Sequence, residues 1–440
     1  MVIIRVPFVS YLLSRTFCFV PIVMSNPPSN TTTTTNIRIG MVEFIILMAS
    51  LMSVVALSID AVLPALGFMA QEFKVGGSEV QLVITSLFAG FAIGQLIYGP
   101  VSDRVGRLPG IYVGFAFFIL GCILAMSAQS LEMMLIGRFL QGIGASGPRI
   151  MVSAIARDCF SGRAMARIMS LSGAVFMMVP ICAPMLGQVL LWFGPWQYIF
   201  AMYIILAVLL CIWTWLRLDE TLTHEKRRSI HPKVLREAFV LVLSNRVAAG
   251  YTLVSGLVFG GFLGYLSSSQ WLFQNIYDVG DAFPLYFGAL VFPNLISSYL
   301  NAKLVMRWGM FRLVQLTNLL VFTGSLGLYM YAQLYDGVPP LMHTMAFLFL
   351  IFSGIGFQFG NLNALAMEPL GQVAGMGASV VGAGSMFISI PIGGLIGMSV
   401  DTDIFPVALG IAVCSLMSML VMHWVRFGFG KPKAGGGVSG

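Results

Sequence analysis

Continuous apolar runs of about twenty residues, the length that carries a helix across a hydrocarbon core of about 30 Å, recur along almost the whole chain. Lipid gives backbone groups no water to bond with, so only helices or closed barrels can cross it. A barrel strand would alternate apolar and polar residues over about ten positions, and here the runs are unbroken for twice that. With 58% hydrophobic and only 9% charged residues among its 440, the chain is expected to be an all-α integral membrane protein.

Twelve spans are expected, near 41–66, 80–101, 110–128, 132–156, 168–191, 195–216, 247–272, 282–304, 312–331, 340–364, 373–398 and 404–426. The loops after spans 2, 4, 6 and 8 hold Arg104 and Arg107; Arg157, Arg163 and Arg167; Lys226, Arg227, Arg228, Lys233 and Arg236; and Lys303, Arg307 and Arg312. Loops after odd-numbered spans hold Lys74 and mainly acids: Asp278, Asp281, Asp336, Asp401 and Asp403. Positive loops stay on the cytoplasmic side, so both termini and the central loop are expected there. The net charge of +7 is thus a topology signal rather than a nucleic-acid surface. The expected organisation is an N-terminal extension, 1–40, disordered or dispensable and containing the run Thr31–Thr35; a six-helix bundle, 41–216; a cytoplasmic linker, 217–246; a second bundle, 247–426; and a cytoplasmic tail, 427–440.

The halves repeat. Arg104-x-Gly106 recurs as Arg307-x-Gly309, Pro184-x-x-Gly187 as Pro391-x-x-Gly394, and Gly142-Ile143-Gly144 as Gly354-Ile355-Gly356, in order and at nearly constant spacing. Repeated halves with a midplane site between them suit alternating access in a secondary transporter. The six cysteines lack metal spacing, the four histidines are dispersed, and no P-loop is present. No catalytic residue, metal site or nucleotide cofactor is expected, and the chain reads as no enzyme.

Asp60 lies inside span 1, one turn before Pro64, where an unpaired carboxylate costs at least a few kcal/mol. It must face a wet cavity or a partner, which makes it a candidate proton carrier; the alternative is an acid neutralised by an Arg or capping a broken helix. On span 4, Arg138 and Arg149 are almost three turns apart, on one face and about 16 Å from each other. They hold anions, tune Asp60, or bond backbone carbonyls; Arg138 is the candidate for coupling, and Arg149 for either a cavity or a structural role. Gly142 and Ala145 between them either admit a neighbouring helix or leave room for a ligand. Gly99 to Arg107 ends span 2 in a tight turn whose Asp103, Arg104 and Arg107 are placed to bond helix ends and latch one half to the other. In span 5, Gly173, Pro180, Pro184 and Gly187 predict a kinked helix packed tightly on another. Gln270, Trp271, Gln358 and Asn361 either line a pocket or bond between helices.

The span 2 turn, Gly99 to Arg107, resembles the Gly-x-x-x-Asp-Arg-x-Gly-Arg signature of the major facilitator superfamily (MFS), with its Gly99, Asp103, Arg104, Gly106 and Arg107. Arg138-Phe139-Leu140-Gln141-Gly142-Ile143-Gly144 resembles the span 4 motif of its proton-coupled drug exporters. Ala364 to Gly371 with Ala374-Gly375, Arg157-Asp158, and Trp196 to Phe200 resemble the bicyclomycin-resistance (Bcr/CflA) branch. The resemblance implies an MFS fold of twelve transmembrane helices in two six-helix pseudo-repeats, in the inner membrane. It implies multidrug efflux of small amphipathic compounds, of chloramphenicol or bicyclomycin type, by a drug:proton antiporter that uses the proton gradient and no cofactor, as a monomer. It gives Asp60 and Arg138 proton coupling, and the Asp103-Arg104 turn, with Asp158, the cytoplasmic gate. The alternative is a proton symporter or facilitator for a small metabolite, since one fold hosts several functions. One departure stands out: the span 5 motif usually reads Gly-Pro-x-x-Gly-Gly, and here it is Ala183-Pro184-Met185-Leu186-Gly187-Gln188.

Overall fold

The computed structural model describes residues 39–160, 162–222 and 232–427, apart from the side chains of 162, 163, 166, 232–235, 238, 371–375 and 427. The expected N-terminal extension lies outside the described residues except for Ile39 and Gly40, as do the middle of the expected linker and almost all of the tail. Twelve long helices cross the described chain: α1 Met41–Asp60, α2 Leu82–Val105, α3 Arg107–Met126, α4 Leu131–Cys159, α5 Gly162–Phe193, α6 Gln197–Arg217, α7 Arg246–Gln270, α8 Phe283–Trp308, α9 Met310–Ala332, α10 Leu341–Met367, α11 Ala374–Met398 and α12 Phe405–Phe427. No strand is present among the described residues.

Among the described residues, eleven of these segments are both long and apolar enough to span a bilayer; α4 is the other one, long enough at 29 residues but carrying three arginines. Its polar groups are turned inward, as the buried Arg138, Gln141 and Ser146 show, so lipid does not meet them. The alternating helices put the Arg-rich loops at one end of the bundle and the Asp-rich loops at the other, here termed the basic and acidic ends. Arg163 and Arg167, expected in a loop, belong to α5, which continues past its apolar run.

The first half is built by pairing α1 with α4, α5 and α6; α2 with α3 and α4; α3 with α4 and α6; and α5 with α4 and α6. The same pairings recur in the second half as α7 with α10, α11 and α12; α8 with α9 and α10; α9 with α10 and α12; and α11 with α10 and α12. The halves meet through α2 against α11 and α5 against α8, two contacts that the same pseudo-symmetry interchanges.

The repeated motifs explain part of this. Gly106 and Gly309 both take positive φ (126° and 75°) and start α3 and α9, a conformation that a side chain would strain. On α4, a Cβ at Gly142 would overlap the Leu87 carbonyl of α2, and one at Gly144 would overlap the Phe118 backbone of α3. Gly142 therefore serves close helix approach and leaves no ligand space. On α10 the order is reversed: Gly354 faces α9 and Gly356 faces α8. The sequence match of these two pairs is thus not a residue-for-residue equivalence; each half needs a small residue on both sides of its fourth helix, and the two helices supply them in opposite order.

In α5, Gly187 fits the expectation of tight packing, since its Cβ would overlap the Ala61 carbonyl beyond α1. Gly173 does not, because nothing stands within 4 Å of the position where its Cβ would be. Gly142→Ala is expected to lower stability by about 1–3 kcal/mol through overpacking, whereas Gly173→Ala is expected to be neutral or to stabilise by up to about 1 kcal/mol. Thermal unfolding of the purified variants, followed by size-exclusion chromatography, checks both signs.

Candidate functional site

Helix α1 stops at Asp60 because Pro64 has no N–H to offer the Asp60 carbonyl; the chain passes through a 3-10 turn at Leu63–Ala65 and resumes as a helix at Leu66–Phe73. A helix end leaves carbonyls without intrahelical partners. Arg138 takes up one of them, donating through Nη2 to the Ser58 carbonyl (2.9 Å), and the Tyr203 hydroxyl adds a second donor to the Leu57 carbonyl (3.0 Å), which also accepts the Ala61 N–H. Arg138 also donates through Nε to the Val83 carbonyl of α2 (3.2 Å) and through Nη1 to Gln141 Oε1 (2.7 Å). One fully buried guanidinium thus joins α1, α2 and α4, with its charge at the negative end of the α1 dipole.

Asp60 itself is 5% exposed, and among the described residues it makes no hydrogen bond and no ion pair. Arg138 therefore bonds carbonyls around Asp60 rather than pairing with it. The carboxylate lies within electrostatic reach of the phenols of Tyr203 and, from the other half, Tyr265. The Tyr265 hydroxyl is buried and has no hydrogen-bond partner. Gly187 of α5 packs on the turn immediately after Asp60, so the broken helix, the span 5 motif and the second half converge on this acid.

At the basic end, Arg107 is the centre of the motif. It is 6% exposed and bonds Ser102 Oγ (2.9 Å), Asp103 Oδ1 (2.5 Å) and Asp158 Oδ2 (2.8 Å). Arg104, expected to share this role, is exposed on the outer side of the turn. The expected latch to the other half is not made here: among the described residues the hydrogen bonds of Asp103 and Arg107 stay within the first half. Glu220, which the sequence reading passed over, completes the cluster. Its carboxylate accepts the backbone N–H groups of Arg107 (2.9 Å) and Leu108 (3.0 Å), capping the N-terminus of α3, while Thr221 donates to Asp158 (3.2 Å). The chain leaving α6 is thereby clamped to the gate motif. An acid just after a span, on the same side as a helix N-terminus, was the available signal.

Beside this cluster is a cavity of about 320 Å³ between the halves, lined by Gln95, Gly99, Asp103, Ser153, Met376 and Ser379 among others. Deeper, an aromatic wall runs from Phe88 of α2 to Phe259 of α7 (ring centroids 5.6 Å) and on to Phe359 of α10 (5.9 Å). Gln358 is fully buried with both amide atoms unpartnered, whereas Asn361 is committed to Asn301 of α8 (2.7 Å) and the Phe357 carbonyl (2.8 Å). Of the two roles open to Gln270 and Trp271, pocket lining or helix contact, the structure shows the second, at the acidic end, where their side chains bridge the halves: Gln270 stands against Gly67 and bonds Gln274, and the Trp271 ring lies flush on Gly77 while its Nε1 donates to the Asp401 carbonyl (2.8 Å). Gln188, the departure from the span 5 motif, donates to Asp281 in the 3-10 turn just before α8 (2.9 Å), as does Trp192 (3.2 Å). The acidic end is closed by these contacts.

Two repeated six-helix halves around an inner set of charged and aromatic groups define a polytopic membrane transporter rather than an enzyme. Residues 48–398 match the Major Facilitator Superfamily, and the chain belongs to that family. It is 29% identical over 382 residues to the "Uncharacterized MFS-type transporter YdgK" of Bacillus subtilis, covering 86% of this chain and 93% of that one. It is 26% identical to the "Bicyclomycin resistance protein homolog" of Haemophilus influenzae (87% and 96% covered) and 26% identical to the "Multidrug resistance protein MdtL" of Klebsiella pneumoniae (87% and 96%). These names agree with the branch that the motifs resemble. The fold is also that of a crystallised D-xylose-proton symporter, with a TM-score of 0.68 at 14% identity, covering 89% of this chain and 98% of the other.

Replacing Arg107 by Ala is expected to cut transport by about tenfold or more, since it strands two carboxylates, and Glu220→Ala to cut it severalfold; Arg104→Ala should stay within about twofold. Uptake or efflux assays at matched expression check this ranking.

Proposed function

We propose that this protein is a proton-coupled exporter that moves small amphipathic compounds from the basic end, taken as cytoplasmic, to the acidic end by alternating access. The observation that carries this reading is the buried, unpartnered carboxylate of Asp60 at the break in α1. A charge without a counter-ion at membrane depth is costly, so the group is poised to exist as the neutral acid and to lose its proton when water or a substrate reaches it. Its proton would enter from the acidic end and leave toward the basic end, and competition between proton and substrate for the same state would couple the two fluxes. Arg138 acts as a positioning residue, fixing the C-terminal end of α1 and keeping a positive charge near the acid.

The relatives named for bicyclomycin and multidrug resistance support export of amphipathic compounds, and the aromatic wall from Phe88 to Phe359 is a suitable surface for them. Likeness to a sugar symporter at 14% identity speaks for the fold alone. The positive-inside rule supports the orientation, with the described ends of α1 and α12 on the cytoplasmic side of an inner membrane.

In inverted vesicles with a preformed pH gradient, chloramphenicol-like, bicyclic or cationic compounds should dissipate the gradient through the intact protein and not through Asp60→Asn. Equal behaviour of the two proteins, with no response from either, would contradict proton-coupled export and turn attention to uptake.

A further inference from the structure

Arg149 is a cation the transport reading does not yet use. It lies on the α4 face that also carries Arg138, which is turned toward α1 and α2. Arg138 has three oxygen partners; among the described residues Arg149 has no hydrogen bond and no ion pair. Its guanidinium carbon lies over the Phe176 ring of α5, 4.8 Å from the centroid, with Nη1 shut away from solvent. The next residue, Ile150, and Ser153 one turn on line the cavity at the basic end. Stacking on an aromatic face holds a guanidinium flat and leaves its edge, with the N–H donors, unfilled. An edge of that shape matches a carboxylate or another planar oxyanion through two parallel hydrogen bonds.

We propose that Arg149, oriented by Phe176, binds the acidic group of an amphipathic aryl substrate that enters from the basic end. The inference rests on the export reading and narrows its substrate class to compounds that join an aromatic body to a carboxylate. Such a substrate also fits the energetics of export, because an anion leaving a compartment of negative potential moves down the electrical gradient. The same oxyanion chemistry could be brought by a lipid phosphate, which the experiment separates.

The test is equilibrium binding to the full chain in nanodiscs of zwitterionic lipid, with no gradient, so that its failure is distinct from failure of proton coupling. The probes are nalidixate, its uncharged methyl ester, and chloramphenicol. Nalidixate should bind about tenfold or more tightly than the ester. Arg149→Gln should lose most of that preference, Arg149→Lys should keep part of it, and Phe176→Leu should weaken nalidixate about threefold, while chloramphenicol binding stays within about twofold and reports a folded protein. Equal binding of acid and ester by the unmodified protein overturns the proposal without any variant, as does unchanged nalidixate binding in a folded Arg149→Gln. Loss of nalidixate binding in phosphatidylglycerol discs, recovered as the anionic lipid is diluted, would assign the site to a lipid head group and overturn the substrate reading.

Discussion

The rest of the structure depends on the break in α1. Inside a bilayer every polar group must find its partner within the protein, and a helix that stops at membrane depth exposes carbonyls that lipid cannot satisfy. Arg138 satisfies the Ser58 carbonyl and Tyr203 adds a donor at that of Leu57, and in doing so they tie α1 to α2, α4 and α6. Asp60 is left at the end of the broken helix with no such partner, facing a tyrosine of the other half. A single proline therefore creates both the need for the buried arginine and the position of the acid that gives the site its chemistry.

Two kinds of contact then hold the helices together. Close backbone approach at Gly142, Gly144 and Gly187 packs the first half tightly and Gly354 and Gly356 do the same in the second, while polar bonds such as Gln188 to Asp281 join the halves. At the acidic end, Asp281 with Gln188 and Trp192, and Trp271 on Gly77, close the interface; at the basic end a cavity remains beside the Arg107 cluster. Glu220 fixes the chain leaving α6 to that cluster.

Much of this was legible in the sequence. Apolar runs mark eleven of the twelve long helices among the described residues, since hydropathy reports lipid exposure directly, and the intramembrane charges Asp60, Arg138 and Arg149 stand out because lipid makes them costly. Helix rotation was not legible, because continuously apolar spans carry little facial asymmetry. That is why the sequence leaves Gln270 and Trp271 open between a pocket and a helix contact, and why Gly173, expected to be packed, is not. Arg104 and Arg107 differ by only three residues in one turn; which of them is buried depends on where Asp158 and Glu220 arrive from distant helices. The Gln188 departure was visible, but its partner Asp281 lies across the interface and could be found only in three dimensions.

The most direct test of the central claim is proton release on substrate binding, measured with the purified protein in weakly buffered solution using a compound established as a ligand. Antiport through Asp60 predicts that binding releases protons from the unmodified protein and none from Asp60→Asn at equal occupancy. Binding without release, or the same release from Asp60→Asn, would contradict it.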